Sequence, residues 1–147
     1  MAKLVKDLMI SEYDQVPEEE SIYGAVKKIT ASRRSKIACV VDKEGRLKGL
    51  LTPRDILEAL EVRKFGTIRG RFFVGPEVLH LLTSKYVRDI MSAPISVHVD
   101  DEIEEAVNTM LDHGFYELPV VDKEERVIGE ISYFDILVDS LEEGGKV

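Results

Sequence analysis

The sequence predicts an α+β fold made from one unit used twice, and three observations carry that expectation. Gly49-Leu50-Leu51-Thr52-Pro53-Arg54-Asp55-Ile56-Leu57 returns as Gly129-Glu130-Ile131-Ser132-Tyr133-Phe134-Asp135-Ile136-Leu137. Each copy follows a Val-Val-Asp-Lys-Glu stretch, at Val40 to Glu44 and Val120 to Glu124, and Val5-Lys6-Asp7-Leu8-Met9 returns as Val87-Arg88-Asp89-Ile90-Met91. The numbering gives offsets of 80, 80 and 82. Segments recurring in one order at nearly constant spacing define an architectural unit. With two copies, the economical arrangement is an intramolecular pseudo-dimer.

Each unit reads as lead strand, helix, two strands, helix. The lead strand is clearest at Ile95 to Val99. From Ser21 to Ile29, the residues Ile22, Ala25, Val26 and Ile29 fall at helical spacing, and Ile103, Ala106, Val107 and Met110 repeat the pattern. Acidic runs, Glu18-Glu19-Glu20 and Asp100-Asp101-Glu102, precede both helices and suit a positive helix end. Short β-type runs follow, Ile37 to Val41 and Leu118 to Val121. Polar turns then lead into second strands, Leu47 to Leu51 and Val127 to Ile131. The turn Asp42-Lys43-Glu44-Gly45 reads as a hairpin, and Glu125 stands in the place of its glycine in the second copy. Closing helices run from Pro53 to about Val62 and from Tyr133 to about Glu143. The expected organisation is therefore a first repeat over 1–62, a connection over 63–86 and a second repeat over 87–147. The connection is basic and aromatic, with Phe65, Phe72 and Phe73 among Gly66, Gly70, Gly75 and Pro76, and Glu77 to Leu82 looks helical. Its length predicts partial order against one repeat.

Size and composition narrow the function. A chain of 147 residues suits one domain or two small ones sharing a core, since half of it would bury too little apolar surface alone. No apolar run approaches the roughly 20 residues of a membrane span, and the opening residues lack a secretory signal. Cys39 sits alone in the apolar run Ile37 to Val41 and reads as a core residue. We therefore expect a soluble, cytoplasmic protein with no membrane association. The net charge of −8 argues against general nucleic-acid binding. Residues 1–75 carry 15 Lys/Arg against 11 Asp/Glu, whereas 76–147 carry 5 against 17. The basic excess lies at Arg33-Arg34-Ser35-Lys36, Arg63-Lys64, Arg69 and Arg71, where it would suit an anionic ligand as well as solvent.

Thr52-Pro53-Arg54-Asp55 is, at its simplest, a helix start. Threonine caps, proline takes the first helical position, and an acid three residues on closes the first turn. Ser132-Tyr133-Phe134-Asp135 fits the same description. The same chemistry also serves a nucleotide. A helix start offers free N–H groups and a positive dipole end to a phosphate, and a hydroxyl can donate to it. A carboxylate accepts both hydrogens of a ribose diol. Gly49 and Gly129, three residues before the hydroxyl, allow a bend or a close approach. One Gly-x-x-Thr-x-x-Asp is weak; two at matched positions are much stronger.

The order Val-x-Asp-Leu/Ile-Met, amphipathic helix, apolar-Val-Val-Asp, turn, then Gly-x-x-Thr/Ser-x-x-Asp resembles the CBS domain, which in tandem forms a Bateman module. The resemblance covers essentially the whole chain outside residues 63–86 and the last few. It implies two units related by a pseudo-twofold axis and packed through their sheets. Two clefts would bind AMP, ADP, ATP or S-adenosylmethionine, and modules would pair into homodimers. Carried across, one cleft would use Thr52 and Asp55 for phosphate and ribose, with an adenine wall around Ala93, Ile95, Val97 and Leu118. The other would use Ser132 and Asp135, with Ile10, Val16, Ile37 and Ala38. A phosphate-contacting position falls on Lys36 in the first repeat and on Tyr116 in the second, so the clefts should differ. Arg54 is a further phosphate candidate or a solvent-facing helix residue. Tyr133-Phe134 replaces Pro53-Arg54 in the second copy, leaving phosphate there to Lys36, Arg33 or Arg34, or to nothing.

Other chemistry is poorly supplied. His80, His98 and His113 lack ligand spacing, so no metal is expected, and Ser32 and Ser35 have no evident base. Neither a Walker-type loop nor Gly-x-Gly-x-x-Gly occurs. The acidic tail Glu142-Glu143-Gly144-Gly145-Lys146 reads as a frayed end. The expectation is a non-catalytic regulatory module sensing an adenosine-containing metabolite and acting on a separate protein effector. The alternative is a structural dimerisation module with vestigial clefts. If Arg69 and Arg71 supply phosphate contacts, a polyphosphate is favoured.

Overall fold

The computed structural model describes residues 2–32, 36–65 and 76–143. The elements in order are α1 (Val5–Leu8), β1 (Gln15–Pro17), α2 (Ile22–Ser32), β2 (Ala38–Val41), β3 (Leu47–Leu51), α3 (Pro53–Phe65), α4 (Pro76–Thr83), α5 (Val87–Ile90), β4 (Val97–His98), α6 (Ile103–His113), β5 (Glu117–Val121), β6 (Val127–Ser132) and α7 (Tyr133–Glu142). Mixed helices and two three-stranded sheets, ordered β1-β2-β3 and β4-β5-β6, give the expected α+β class. The basic positions Arg33, Arg34, Arg69 and Arg71, the aromatics Phe72 and Phe73, and the tail beyond residue 143 lie outside the described residues.

The two sheets repeat one plan. β1 pairs in parallel with β2, with Val16 opposite Val40, and β4 pairs in parallel with β5, with Val97 opposite Val120. β5 and β6 are antiparallel, with Leu118 opposite Ile131. The lead strand expected over 95–99 shrinks to two residues. After His98 the chain turns, and the Asp101 carboxylate accepts from the His98 N–H at 2.8 Å. The acidic run before α2 does not cap it; the Ser21 hydroxyl does, accepting from the Gly24 N–H at 3.0 Å.

The compact units do not coincide with the sequence repeats. One unit comprises residues 14–43 and 48–94, and the other comprises 1–13, 44–47 and 95–147. Each therefore takes the lead segment that the numbering assigns to the other repeat. The two cores draw on matching positions of the repeat. Val87 and Ile90 of α5 are buried with Val16, Ile22, Ala25, Ala38, Val40, Leu51 and Ala59. Val5 of α1 is buried with Val97, Ala106, Met110, Leu118, Val120 and Ile131. Burying a Val or Ile side chain contributes about 1.5–3 kcal/mol, so each lead helix is held by apolar burial despite its four residues. Cys39 is a buried residue of β2, as the apolar run around it predicts.

Lead helices α1 and α5 are also closed by carboxylates. Asp7 accepts from the Leu4 N–H at 2.8 Å, and Asp89 accepts from the Tyr86 N–H at 3.0 Å. The Tyr86 amide, foremost, holds the Asp89 carboxyl below the usual carboxylate range. From the connection, α4 packs beside α3, with Leu81 against the first core and the Arg63 guanidinium donating to the Ser84 carbonyl.

The hairpin turns agree at their tips. Gly45 adopts φ +80 and Glu125, its counterpart, φ +64. Left-handed backbone costs an L-residue about 1–2 kcal/mol, so the first turn uses glycine and the second bears strain. A Cβ on Gly45 would meet nothing within 4 Å. Gly45→Ala should therefore destabilise by about 1 kcal/mol through backbone conformation alone, as read by urea unfolding with an unchanged m-value.

Candidate functional site

Both Gly-x-x-Thr/Ser-x-x-Asp copies form a strand-to-helix corner. β3 ends at Leu51 and α3 begins at Pro53; β6 ends at Ser132 and α7 begins at Tyr133. At the first corner, Asp55 Oδ2 accepts from the Thr52 N–H at 2.9 Å and from Thr52 Oγ1 at 2.8 Å. The Asp55 N–H donates back to Thr52 Oγ1 at 3.2 Å. At the second, Asp135 Oδ2 accepts from the Ser132 N–H at 2.8 Å and from Ser132 Oγ at 3.1 Å, and the Asp135 N–H returns to Ser132 Oγ at 3.4 Å. The motif is thus a reciprocal capping box at both helices. It consumes the amides of Thr52, Asp55, Ser132 and Asp135 that a phosphate would otherwise find. The Tyr133 N–H is also engaged, donating to the Tyr116 carbonyl at 2.9 Å.

The glycines in the motif are explained by the lead segments. Leu50, next to Gly49, exchanges two backbone hydrogen bonds with Ser92, at 3.0 and 2.8 Å. Glu130, next to Gly129, exchanges two with Ile10, both at 2.9 Å. A Cβ on Gly49 would lie 2.7 Å from the Ser92 carbonyl oxygen, and one on Gly129 would lie 2.4 Å from that of Ile10. The close approach anticipated for a ligand is made by the chain itself.

Position for position, the corners differ in chemistry. Arg54 is exposed and donates to Glu58 at 2.9 Å one helical turn along, as a solvent-facing residue does. Its counterpart Phe134 stacks on Tyr133 at 4.4 Å between ring centroids, and Tyr133 meets Tyr116 edge-on at 5.8 Å. Lys36, matched to Tyr116, is exposed two residues before β2. One corner is therefore cationic in composition and the other aromatic.

The remaining candidate residues divide between the units. Val16, Lys36, Ile37, Ala38 and Ala93 belong with Thr52 and Asp55; Ile10, Ile95, Val97 and Leu118 belong with Ser132 and Asp135. Val16, Ala38, Val97 and Leu118 are buried in their own cores, whereas Ile10 and Ala93 are exposed and Ile95 is half-buried. Each histidine has local company. His80 Nε2 lies 2.6 Å from the Asp89 carbonyl, His98 Nε2 lies 2.9 Å from Glu125, and His113 stacks near Phe115. Among the described residues no group of three His, Cys, Asp or Glu could hold a metal ion, and no helix is long and apolar enough to cross a membrane. Sequence reasoning missed Ser92, whose Oγ donates to Asp55 Oδ1 at 2.7 Å. Its only sequence signal is its place directly after the repeated Val-Arg-Asp-Ile-Met segment.

Two sheets of one plan, each ending in this corner, define a tandem repeat module. The CBS domain model matches residues 5–62 and 87–141, and the chain belongs to that family. Over 130 residues it is 27% identical to an uncharacterised 33.4 kDa protein of the ribosomal RNA operon of Thermofilum pendens, covering 87% of this chain and 43% of that protein. The chain spans less than half the length of this and the next curated relatives it matches. The solved CBS domain pair of protein MJ0100, in complex with 5′-methylthioadenosine and S-adenosyl-L-methionine, is 25% identical. It superposes with a TM-score of 0.71 over 99% of this chain and all of that one. The cytosolic domain of the Mg2+ channel MgtE, in complex with ATP, is 28% identical with a TM-score of 0.67, over 90% of this chain and 46% of that one.

Because the glycines admit the lead segments, Gly129→Ala should cost about 2 kcal/mol or more, through a backbone clash and two strained hydrogen bonds. Gly49→Ala should cost somewhat less, since part of its contact is with the flexible Met91 side chain. Equilibrium unfolding of the two variants checks both values and their order.

Proposed function

We propose that the chain is a non-catalytic regulatory module that binds an adenosine-containing ligand (AMP, ADP, ATP or S-adenosylmethionine) at the corners of its repeats and signals to a separate protein effector in the cytoplasm. The observation that carries this reading is the likeness, along the full chain, to a CBS pair crystallised with two adenosine compounds. The duplicated carboxylates supply the matching chemistry, because Asp55 and Asp135 stand half-buried at helix starts where a ribose diol can donate to them. The likeness to an ATP-bound domain extends the class to nucleotides. Such a ligand can alter an effector only by binding two conformations of the module unequally.

Assembly into a homodimer fits the outer helix faces. Leu57, Leu60 and Phe65 of α3 are exposed beside Arg54, Glu58 and Glu61, and Phe134, Leu137, Val138 and Leu141 of α7 are exposed together. Apolar stripes of this kind favour burial against a partner. They also favour a second reading, a structural dimerisation module whose ligand corners are vestigial.

Thermal unfolding with AMP, ADP, ATP and S-adenosylmethionine in turn separates the two readings. A ligand bound only by the folded state, at 100 times its dissociation constant, adds about 2.7 kcal/mol and raises the midpoint visibly. A rise with one or more of the four is the expected result. An unchanged midpoint with all four supports the dimerisation module instead.

A further inference from the structure

The two corners carry the same carboxylate in unequal states. An ionised carboxylate offers about four lone-pair sites, two on each oxygen. Asp135 Oδ2 uses its pair on the Ser132 N–H and hydroxyl, and among the described residues no donor reaches Asp135 Oδ1. Asp55 Oδ2 is filled in the same way by Thr52, but Asp55 Oδ1 already accepts the Ser92 hydroxyl at 2.7 Å. A vicinal diol brings two hydrogens. Asp135 can take both on one free oxygen, whereas Asp55 has room for one unless Ser92 turns away.

The cause lies in a single position of the repeat. Ser92 and Ile10 make the same pair of backbone bridges, to Leu50 and to Glu130, and each directly follows the methionine of its lead segment. The serine adds a hydroxyl next to the carboxylate of its unit; the isoleucine adds none. We propose that Ser92 is a specificity-determining residue that holds Asp55 back from a ribose diol and leaves Asp135 as the stronger acceptor of an adenosine-type ligand. This rests on the ligand-binding reading above. It goes beyond it by ranking the corners and naming the residue that ranks them.

The test is titration calorimetry on the full chain with AMP and, separately, 5′-methylthioadenosine. Asp→Asn variants suit it because the amide oxygen still accepts the capping N–H groups while the free carboxylate oxygen is lost. Asp135→Asn should abolish the tighter binding event and Asp55→Asn should retain it. In the Asp135→Asn background, Ser92→Ala should strengthen the residual binding about tenfold, the worth of a hydrogen bond to a charged group. The same change should give no gain for 2′-deoxyadenosine 5′-phosphate, which lacks the diol. The reciprocal variant Ile10→Ser should weaken the tight event about tenfold, so the proposal does not hang on Ser92→Ala folding normally. Tight binding that survives Asp135→Asn and is lost in Asp55→Asn would overturn the ranking. So would residual binding that Ser92→Ala leaves unchanged together with tight binding that Ile10→Ser leaves unchanged. If neither compound binds the native chain at millimolar concentration, the ligand-binding reading itself fails.

Discussion

Two backbone bridges organise this molecule. Leu50 with Ser92, and Glu130 with Ile10, each exchange a pair of N–H···O=C bonds that seat a lead segment against the strand feeding a capped helix. Glycine beside the bridge is the condition for it, because a Cβ at Gly49 or Gly129 would sit well inside contact distance of the opposing carbonyl. Once the bridge forms, the lead helix delivers its apolar residues to the core, Val87 and Ile90 in one unit and Val5 in the other. Neither four-residue helix would persist alone, given the cost of helix nucleation. The bridge therefore links the repeated motif, the exchange of segments and the composition of both cores.

The same bridge sets the chemistry of the corner. On the proposed reading, capping and ligand acceptance would draw on one carboxylate, and the two uses are compatible because the cap occupies only Oδ2. At the other oxygen the corners differ, because the Ser92 hydroxyl donates to Asp55 Oδ1 and Ile10 has no hydroxyl to offer Asp135. The basic composition of one corner and the aromatic composition of the other, Lys36 and Arg54 against Tyr116 and Phe134, push the pair further apart.

Much of this was legible in the sequence. The duplicated Gly-x-x-Thr/Ser-x-x-Asp, the helical spacing of Ile22, Ala25, Val26 and Ile29, and the apolar runs around Val40 and Val120 gave the α+β class and the repeat. Element ends fell within a few residues of their observed places. The exchange of lead segments was not legible, because two near-identical copies offer two equally good partners and periodicity cannot choose between them. Gly49 and Gly129 predict a bend or a close approach, and sequence does not show that the approaching group is the chain's own lead segment. Val16, Ala38, Val97 and Leu118, which the family resemblance implies as pocket walls, are buried in their units, a burial that their apolar identity alone does not specify. Glu125 conceals a left-handed turn that its glycine counterpart announces. Ser92 carries no pattern at all; its meaning is a distance to Asp55, which only the fold supplies.

The claim on which the account stands is that the capped corners are where an adenosine compound binds. Amide-resolved NMR during titration with AMP and with S-adenosylmethionine tests it most directly. The account predicts that shifts concentrate at Ser132 to Asp135 and at Ile10, with weaker changes at Thr52 to Asp55 and at Ser92. Shifts confined to other parts of the chain, with those amides unmoved, would contradict it.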